Sequence, residues 1–225
     1  MRIVSLVPSV TETLSAWNAT PIACTKYCER GDLPHVGGTK NPDVEEIVSL
    51  GPDLVVVDVQ ENRLEDFTAL KDAGLSVLAL DVVSLDTMQS DLGRLAAAAK
   101  VQLDPQTLPE LAPLSLRAFV PIWRRPWMSI GAHTFGSQLL HAIGVTNIFE
   151  HSPSEYPEVD LVTVNDLSPD IIIVPSEPYE FDDQHLEEFS EIAPSIRVDG
   201  RDLFWWGVRT PTAMRRLHDE LRSTM

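Results

Sequence analysis

The hydrophobic positions of residues 43–63, DVEEIVSLGPDLVVVDVQENR, change their period midway. Val44, Ile47, Val48 and Leu50 recur at three-and-four spacing, which predicts the apolar face of a short helix. Gly51 and Pro52 predict its end, since Gly accepts the left-handed cap conformation and Pro cannot continue a helix. Leu54, Val55, Val56 and Val57 then run without a polar break, which predicts a strand covered on both faces. A polar loop, Gln60-Glu61-Asn62-Arg63, leads into another helix.

The same pattern occurs a second time. Residues 160–175 read DLVTVNDLSPDIIIVP and stand in register with residues 43–58 at an offset of 160 − 43 = 117. Asp43 matches Asp160, Leu50 matches Leu167, Pro52-Asp53 matches Pro169-Asp170, and the strand 54–57 matches 171–174. An offset near half the chain predicts two similar lobes rather than a solenoid of short units.

Taken in order, the pattern predicts a strand at 3–7 and a helix at 10–17, capped by Ser9 with Glu12 at capping-box spacing. A strand at 21–25 is followed by a long irregular loop, 27–38. Asn41 is expected to cap the helix of the first repeat, with Pro42 at its first position. Asn62 is expected to cap the next helix, which ends near Gly74, and a strand follows at 76–80. Residues 84–100 form one more helix, and 101–113, broken by Pro105, Pro109 and Pro113, form a crossing. The second half predicts a strand at 117–122, a helix at 134–143 stopped by Gly144, and a short strand at 147–149. The second repeat, a helix at 182–191, a strand at 195–198 and a terminal helix from Thr210-Pro211 complete it. Strands alternating with helices predict right-handed βαβ units and parallel sheets. The expected fold class is α/β, with an N-terminal lobe at 1–83, an inter-lobe helix and crossing at 84–116, and a C-terminal lobe at 117–225.

Composition narrows the partners. Of 225 residues, 44% are hydrophobic and 23% charged, which is globular. The net charge of −17 argues against nucleic acid, whose phosphates need clustered Lys and Arg. The chain lacks an apolar run long enough for a membrane-spanning helix, which takes about 20 residues. As it stands the sequence begins without a signal-like segment and reads as cytoplasmic, or as extracytoplasmic if an export signal was removed. Cys24 and Cys28 have neither redox C-x-x-C spacing nor a second pair to complete a zinc site, so Cys24 is expected as a small buried residue.

Ligands of parallel α/β sheets sit beyond the carboxyl ends of the strands, and two facing lobes would make a cleft there. The residues predicted to line it are Tyr27, Gly38, Lys40, Glu61, Asn62, Arg63, Trp123, Trp127, Glu177, Tyr179, Trp205, Trp206 and Arg209. Four of the five tryptophans fall in two of these loops beside Arg124, Arg125, Arg201 and Arg209. Wide aromatic faces next to guanidinium groups suit a large, partly planar ligand carrying amides or carboxylates. Gly37-Gly38-Thr39-Lys40 lacks the upstream glycine of a phosphate-binding loop and reads as a close-approach turn. Ser129 lacks a nucleophile elbow, and the six histidines form no metal-ligand pattern. No nucleophile is assigned a base, so no catalytic role and no metal is expected.

Arg2-Ile3-Val4-Ser5-Leu6, Glu12-Thr13-Leu14, Val36-Gly37-Gly38-Thr39-Lys40-Asn41-Pro42, Gly51-Pro52-Asp53-Leu54-Val55 and Glu61-Asn62-Arg63 follow one another in the first half. Ile122-Trp123-Arg124, Pro126-Trp127-Met128, Pro175-Ser176-Glu177-Pro178-Tyr179 and Trp205-Trp206-Gly207 follow in the second. In this order the motifs resemble the helical-backbone (class III) solute-binding proteins of ABC importers, which bind cobalamin, ferric siderophores and haem, and within them the cobalamin-binding subgroup. The resemblance implies two α/β lobes joined by one rigid helix, a fold like that of periplasmic binding proteins and chelatases. It also implies non-catalytic binding of a corrinoid or iron chelate, with no intrinsic cofactor. An ABC permease would be the partner, met by one carboxylate on each lobe: Glu61 or Glu65 on the first, Glu177 or Glu180 on the second. The short, proline-broken crossing departs from the family's long joining helix. The alternative is an intracellular tetrapyrrole- or metal-processing enzyme, or a corrinoid-handling protein, of similar fold, for which Glu61, His133 and Glu177 would be the acid/base candidates.

Overall fold

A computed structural model describes residues 1–103 and 105–224. Asp104, within the predicted crossing, and Met225, at the end of the predicted second lobe, lie outside the described residues. The chain divides into two compact units: Met1–Val82 with Asp86–Gln106 and Trp206–Val208, and Val83–Leu85 with Thr107–Trp205 and the segment from Arg209 onward.

In unit 1, β1 (Ile3–Ser5), α1 (Pro8–Ala16), β2 (Ala23–Cys24), β3 (Gly37–Gly38), β4 (Asn41–Pro42), α2 (Val44–Ser49), β5 (Leu54–Asp58), α3 (Leu64–Asp72), β6 (Val77–Leu80) and α4 (Leu85–Ala99) follow in order. The main sheet is parallel, in the order β2-β1-β5-β6. Val4, Leu6, Ala23, Val36, Ile47, Val55, Val57 and Leu70 form its core. In α4, Met88, Leu92, Leu95, Ala96 and Ala99 recur on one buried face.

In unit 2, β7 (Leu116–Phe119), β8 (Pro121–Trp123), β9 (Trp127–Ser129), α5 (Phe135–Ala142), β10 (Val145–Asn147), β11 (Glu158–Val159), α6 (Leu161–Asp166), β12 (Ile171–Pro175), α7 (Asp183–Phe189), β13 (Ser195–Val198), α8 (Gly200–Phe204) and α9 (Thr210–Arg222) follow. Its main sheet is also parallel, in the order β10-β7-β12-β13. Counting only main-sheet strands, both units run second-first-third-fourth. The two lobes share one topology, as the repeat predicts.

The repeat is reproduced residue by residue. Asp43 caps α2 by accepting from Glu46 N, and Asp160 caps α6 by accepting from Thr163 N. Asp53 accepts from the backbone N–H of Arg2 at 2.7 Å, and Asp170 does the same for Arg117 at 2.7 Å. Each carboxylate thereby ties the start of a third strand to the first.

Several local expectations are corrected. α1 begins at Pro8 with Val7 as its N-cap, because Pro favours the first helical position. Ser9 is therefore inside the helix and is no cap. Asn41-Pro42 pairs with Gly37-Gly38 as a small antiparallel hairpin, leaving the cap of α2 to Asp43. Arg63, not Asn62, is the N-cap of α3. The strand expected at 117–122 breaks at Val120, since Pro121 lacks the N–H that would extend the ladder. The chain switches there to a three-stranded antiparallel sheet, β11-β9-β8, which the hydrophobic pattern did not announce. The short strand expected at 147–149 sits two residues earlier, at β10, and Gly200–Phe204, where no element was predicted, form the helix α8.

Candidate functional site

In both sheets the strand order reverses between the first and third strands, which is where an open α/β sheet offers a crevice at its carboxyl end. In unit 1 that point lies between β1 and β5 and is bridged by Asn62. Its side-chain amide donates to Leu6 O at 3.2 Å and Thr39 O at 2.8 Å, while its oxygen accepts from Asp58 N at 2.8 Å. Asn62 is buried and uses both ends of its amide inside the protein. Its role is to hold the 59–63 loop against the 37–40 turn. Lys40 reinforces this by donating from Nζ to Gln60 O at 3.1 Å.

Gly38 is buried against Tyr27: a Cβ there would stand 3.1 Å from Tyr27 Cε2 and 2.6 Å from Asn41 Oδ1. The sequence pattern of a close-approach turn has this origin. The Tyr27 ring is 52% exposed, with Lys26 Nζ at 5.1 Å from its centroid. Arg63 is paired to Asp66 at 3.0 Å and to Glu65 at 3.2 Å. Glu61 is half-buried in the same loop. Trp206 is buried and donates its backbone N–H to Ser9 Oγ at 3.3 Å, which explains why Ser9 is polar yet wholly buried.

Asp58, which sequence reasoning passed over, ends β5 at this same point. Its Oδ1 accepts from Gln60 N at 2.8 Å and its Oδ2 from Val82 N at 3.4 Å. Burial pushes its carboxyl up to about 7, with the nearby Asp81 and Asp91 charges adding to the rise and the two backbone donors opposing it. The signal was present: the repeat puts Pro175 at the matching position, so an acid terminates an otherwise apolar strand.

In unit 2 the crevice position lies between β7 and β12. Trp123, at the end of β8, is 46% exposed and meets Tyr179, from the loop after β12, edge to face at 5.2 Å. Trp127 behaves differently. It stacks on Phe181 at 5.9 Å, tilts against Phe189 at 5.1 Å and carries Arg124 over its ring at 5.3 Å. It is half-buried and packs against the core of Phe119, Phe181 and Phe189. Arg124 is held by Glu188 at 2.5 Å.

Glu177 and Trp205 are joined, the indole Nε1–H donating to Oε1 at 2.7 Å. Gly200 makes room for this contact, since a Cβ there would come within 2.6 Å of the Glu177 side chain. Arg209 lies over the Trp205 ring at 5.2 Å and donates to Asp202 at 3.0 Å. Asp202 is buried and also takes both arms of Arg216. Trp205 is thus fixed on its edge and on one face. Glu180 is exposed in the same loop.

The structure therefore gathers Tyr27, Gly38, Lys40, Glu61, Asn62 and Arg63 in unit 1, and Trp123, Glu177, Tyr179, Trp205 and Arg209 in unit 2. Among the described residues no group of three or more His, Cys, Asp and Glu is arranged to hold a metal ion, and no helix is long and apolar enough to cross a membrane.

No family model matches the chain. A vitamin B12-binding protein of Salmonella paratyphi A is 30% identical over 190 residues, spanning 77% of this chain and 71% of the relative. One from Pectobacterium carotovorum is 26% identical over 206 residues, spanning 79% and 72%. Among solved structures, a periplasmic vitamin B12-binding protein of Vibrio cholerae superimposes with a TM-score of 0.75 at 18% identity, covering 99% of this chain and 96% of that one. A periplasmic haem-binding protein of the same organism superimposes at 0.76 and 18%, covering 98% of each. With that level of identity to a named relative and the same two-sheet fold, the chain belongs to the helical-backbone (class III) periplasmic binding protein family.

Proposed function

We propose that the chain binds a corrinoid of the cobalamin type, without turnover, through the carboxyl-end loops of its two sheets, and delivers it to an ABC permease. The observation that carries this reading is the exposed aromatic platform of unit 2, Trp123. Trp123 offers an exposed face braced by Tyr179, and beneath the same set of loops Trp205, only 8% exposed, is a buried support pinned by Glu177 and Arg209. Fixed aromatic faces with charged groups at their edges suit a broad macrocycle ringed by amides, because little ordering remains to be done on binding. Taken by itself, unit 1 offers the exposed Tyr27 ring and Lys40 as contacts. Buried Trp206, packed Trp127 and the structurally engaged Asn62 drop to supporting roles, and Arg63 serves its ion pairs.

The relatives named for vitamin B12 favour a corrinoid. The haem-binding neighbours make haem the second reading, on shared fold. An extracytoplasmic site of action goes with delivery to a permease. For docking, the exposed Glu65 and Glu180 are better placed than the half-buried Glu61 and Glu177. Titration of cobalamin, haem and a ferric siderophore, followed by tryptophan fluorescence, tests the reading. Saturable quenching by cobalamin, reduced at least tenfold in affinity by Trp123→Ala, is expected, and the ligand should be recovered chemically unchanged. Saturation by none of the three overturns it, and recovery of an altered ligand would favour the enzyme alternative.

A further inference from the structure

His185 takes no part in the ligand reading, yet its ring touches three aromatic rings of unit 2. It meets Tyr179 edge to face at 5.7 Å, Phe181 at 5.9 Å and Trp127 at 6.4 Å. Tyr179 in turn braces the exposed Trp123 at 5.2 Å. His185 is also tied to the start of α7. The Asp182 N–H donates to His185 Nδ1 at 3.0 Å, while Asp182 Oδ1 accepts from the His185 N–H at 3.0 Å, a reciprocal cap. Accepting at Nδ1 requires a neutral ring with its proton on Nε2. The same Nδ1 lies 2.8 Å from Asp182 Oδ1, a contact that becomes a strong hydrogen bond only when Nδ1 carries a proton. One nitrogen therefore faces a donor and an acceptor, and it can serve only one of them at a time. In the neutral form the Phe181–Asp182 peptide is pinned on both sides. Its carbonyl accepts from Arg197 Nη1 at 2.7 Å, and its N–H is the donor to His185.

We infer that His185 is a positioning residue for the Tyr179–Trp123 pair, acting as a neutral acceptor for the Asp182 backbone, and that a proton at Nδ1 releases this hold. Its side chain is 13% exposed, so the proton comes from solvent. The new Nδ1–H donates to Asp182 Oδ1, and the Asp182 N–H turns to water. The 179–182 turn then loses one of its two anchors, and Tyr179 is held less firmly against Trp123. The other charged groups around the ring are already committed. Asp183 is paired with Arg197 of β13 at 2.9 Å, and Arg124, over the Trp127 ring, is paired with Glu188. Tyr179 and the exposed Glu180 are the remaining titratable groups of the turn, and exposed Glu187 that of α7. Carboxylates and phenols ordinarily keep their charge between about pH 5 and 8, whereas histidine changes it there. A weaker grip on ligand at low pH follows, a consequence that rests on the binding reading, whereas the positioning itself does not.

The test uses the full chain at about pH 7.5 and about pH 5.5, either side of the range in which histidine ordinarily titrates. Near-ultraviolet circular dichroism of the free protein reports the packing of its Tyr and Trp rings, and tryptophan quenching reports cobalamin affinity. Expected are a reversible change in the aromatic signal and an affinity roughly two- to tenfold lower at the acid pH, the reach of one hydrogen bond. His185→Gln supplies the side-chain acceptor that ordinarily completes a capping box, but it takes up no proton. It should keep the values of the higher pH and lose both pH dependences, whereas His185→Ala should bind weakly at either pH. A pH dependence that survives in His185→Gln overturns the inference. So does an aromatic signal of the unsubstituted protein that stays flat across the range, which is read even if a variant fails to fold. Failure of cobalamin to bind at either pH would count against the binding reading alone, with the free-protein signal still deciding the role of His185.

Discussion

At the scale of single residues, the two copies of the repeat offer a matched comparison. Gly51 ends α2 at φ +55°, and its counterpart Ser168 ends α6 at φ +49°. The left-handed conformation costs an L residue roughly 1 kcal/mol that Gly avoids. Ser168 is exposed, and its hydroxyl donates only a long bond to Asn165 O at 3.4 Å, so little else is lost on substitution. Ser168→Gly should stabilise the protein by about 0.5 kcal/mol, somewhat less than the full difference because Gly also frees the unfolded chain. Urea unfolding at constant m would show it, and no gain would mean that the serine side chain is contributing something of its own. Gly207 presents the opposite case. It adopts φ +111°, and a Cβ would stand 2.2 Å from Thr13 Oγ1, which is fully buried. Gly207→Ala should cost roughly 2–3 kcal/mol, read from the same unfolding curves. A cost below about 0.5 kcal/mol would show that the 206–208 segment is readily displaced. At this scale the sequence was least legible. A Trp in a loop-like stretch looked the same whether it would stand exposed, as Trp123 does, or lie half-buried against a core, as Trp127 does. The difference is set by the β8–β9 pairing, which brings Phe181 and Phe189 around one ring and not the other.

Among the elements, strands with continuous apolar runs and the duplicated helix-strand pair were plainly written in the chain, because their period is imposed by burial on one or both faces. Boundaries were not, because several residues compete for each cap. Ser9, Asn41 and Asn62 all have side chains that cap helices, yet each is used elsewhere: under Trp206, in a hairpin, and across the β1/β5 crevice. Tertiary demand overrode local preference in all three. Asp58 is the clearest instance of an element whose end is set by something other than propensity. Its carboxyl titrates near 7 when folded and near 3.9 when unfolded. Because the folded value is the higher one, the folded state holds the proton more tightly. The stability this confers is complete below about pH 4 and is lost as pH rises through about 7, by an amount on the order of a few kcal/mol at most. Asp58→Asn removes the charge and keeps the shape, giving up one acceptor, for which the long 3.4 Å bond from Val82 N is the cheaper to lose. It should raise the melting temperature at pH 8 and flatten the pH dependence between 4 and 7, as followed by thermal unfolding across that range. An unchanged pH profile would mean that Asp58 is ionised throughout and stabilised by its backbone donors instead.

For the molecule as a whole, a net charge of −17 makes long-range electrostatics part of any encounter with a cationic surface. The proposed permease partner would be met first by carboxylates that are exposed and not already committed to the interior. Glu65 is 69% exposed in the first turn of α3 and pairs with Arg63 at 3.2 Å. Such a surface pair contributes little to stability, so its loss should be felt in association and not in folding. Glu180 is likewise exposed beside Tyr179. Glu177, by contrast, is engaged with the indole of buried Trp205, and removing it would disturb the packing of that ring as well as any docking. The double substitution Glu65→Ala with Glu180→Ala should therefore slow association with the permease in lipid nanodiscs several-fold and weaken the salt dependence of that rate, because rim charges act mainly through encounter. Ligand affinity should stay within about twofold, since neither residue is part of a platform; that bound corresponds to roughly 0.4 kcal/mol. Glu177→Ala should do the reverse, lowering ligand affinity through a loosened Trp205. Equal effects of both variants on ligand and permease would show that docking and binding share one surface. An unchanged association rate and salt slope in the double variant would remove Glu65 and Glu180 from the docking role.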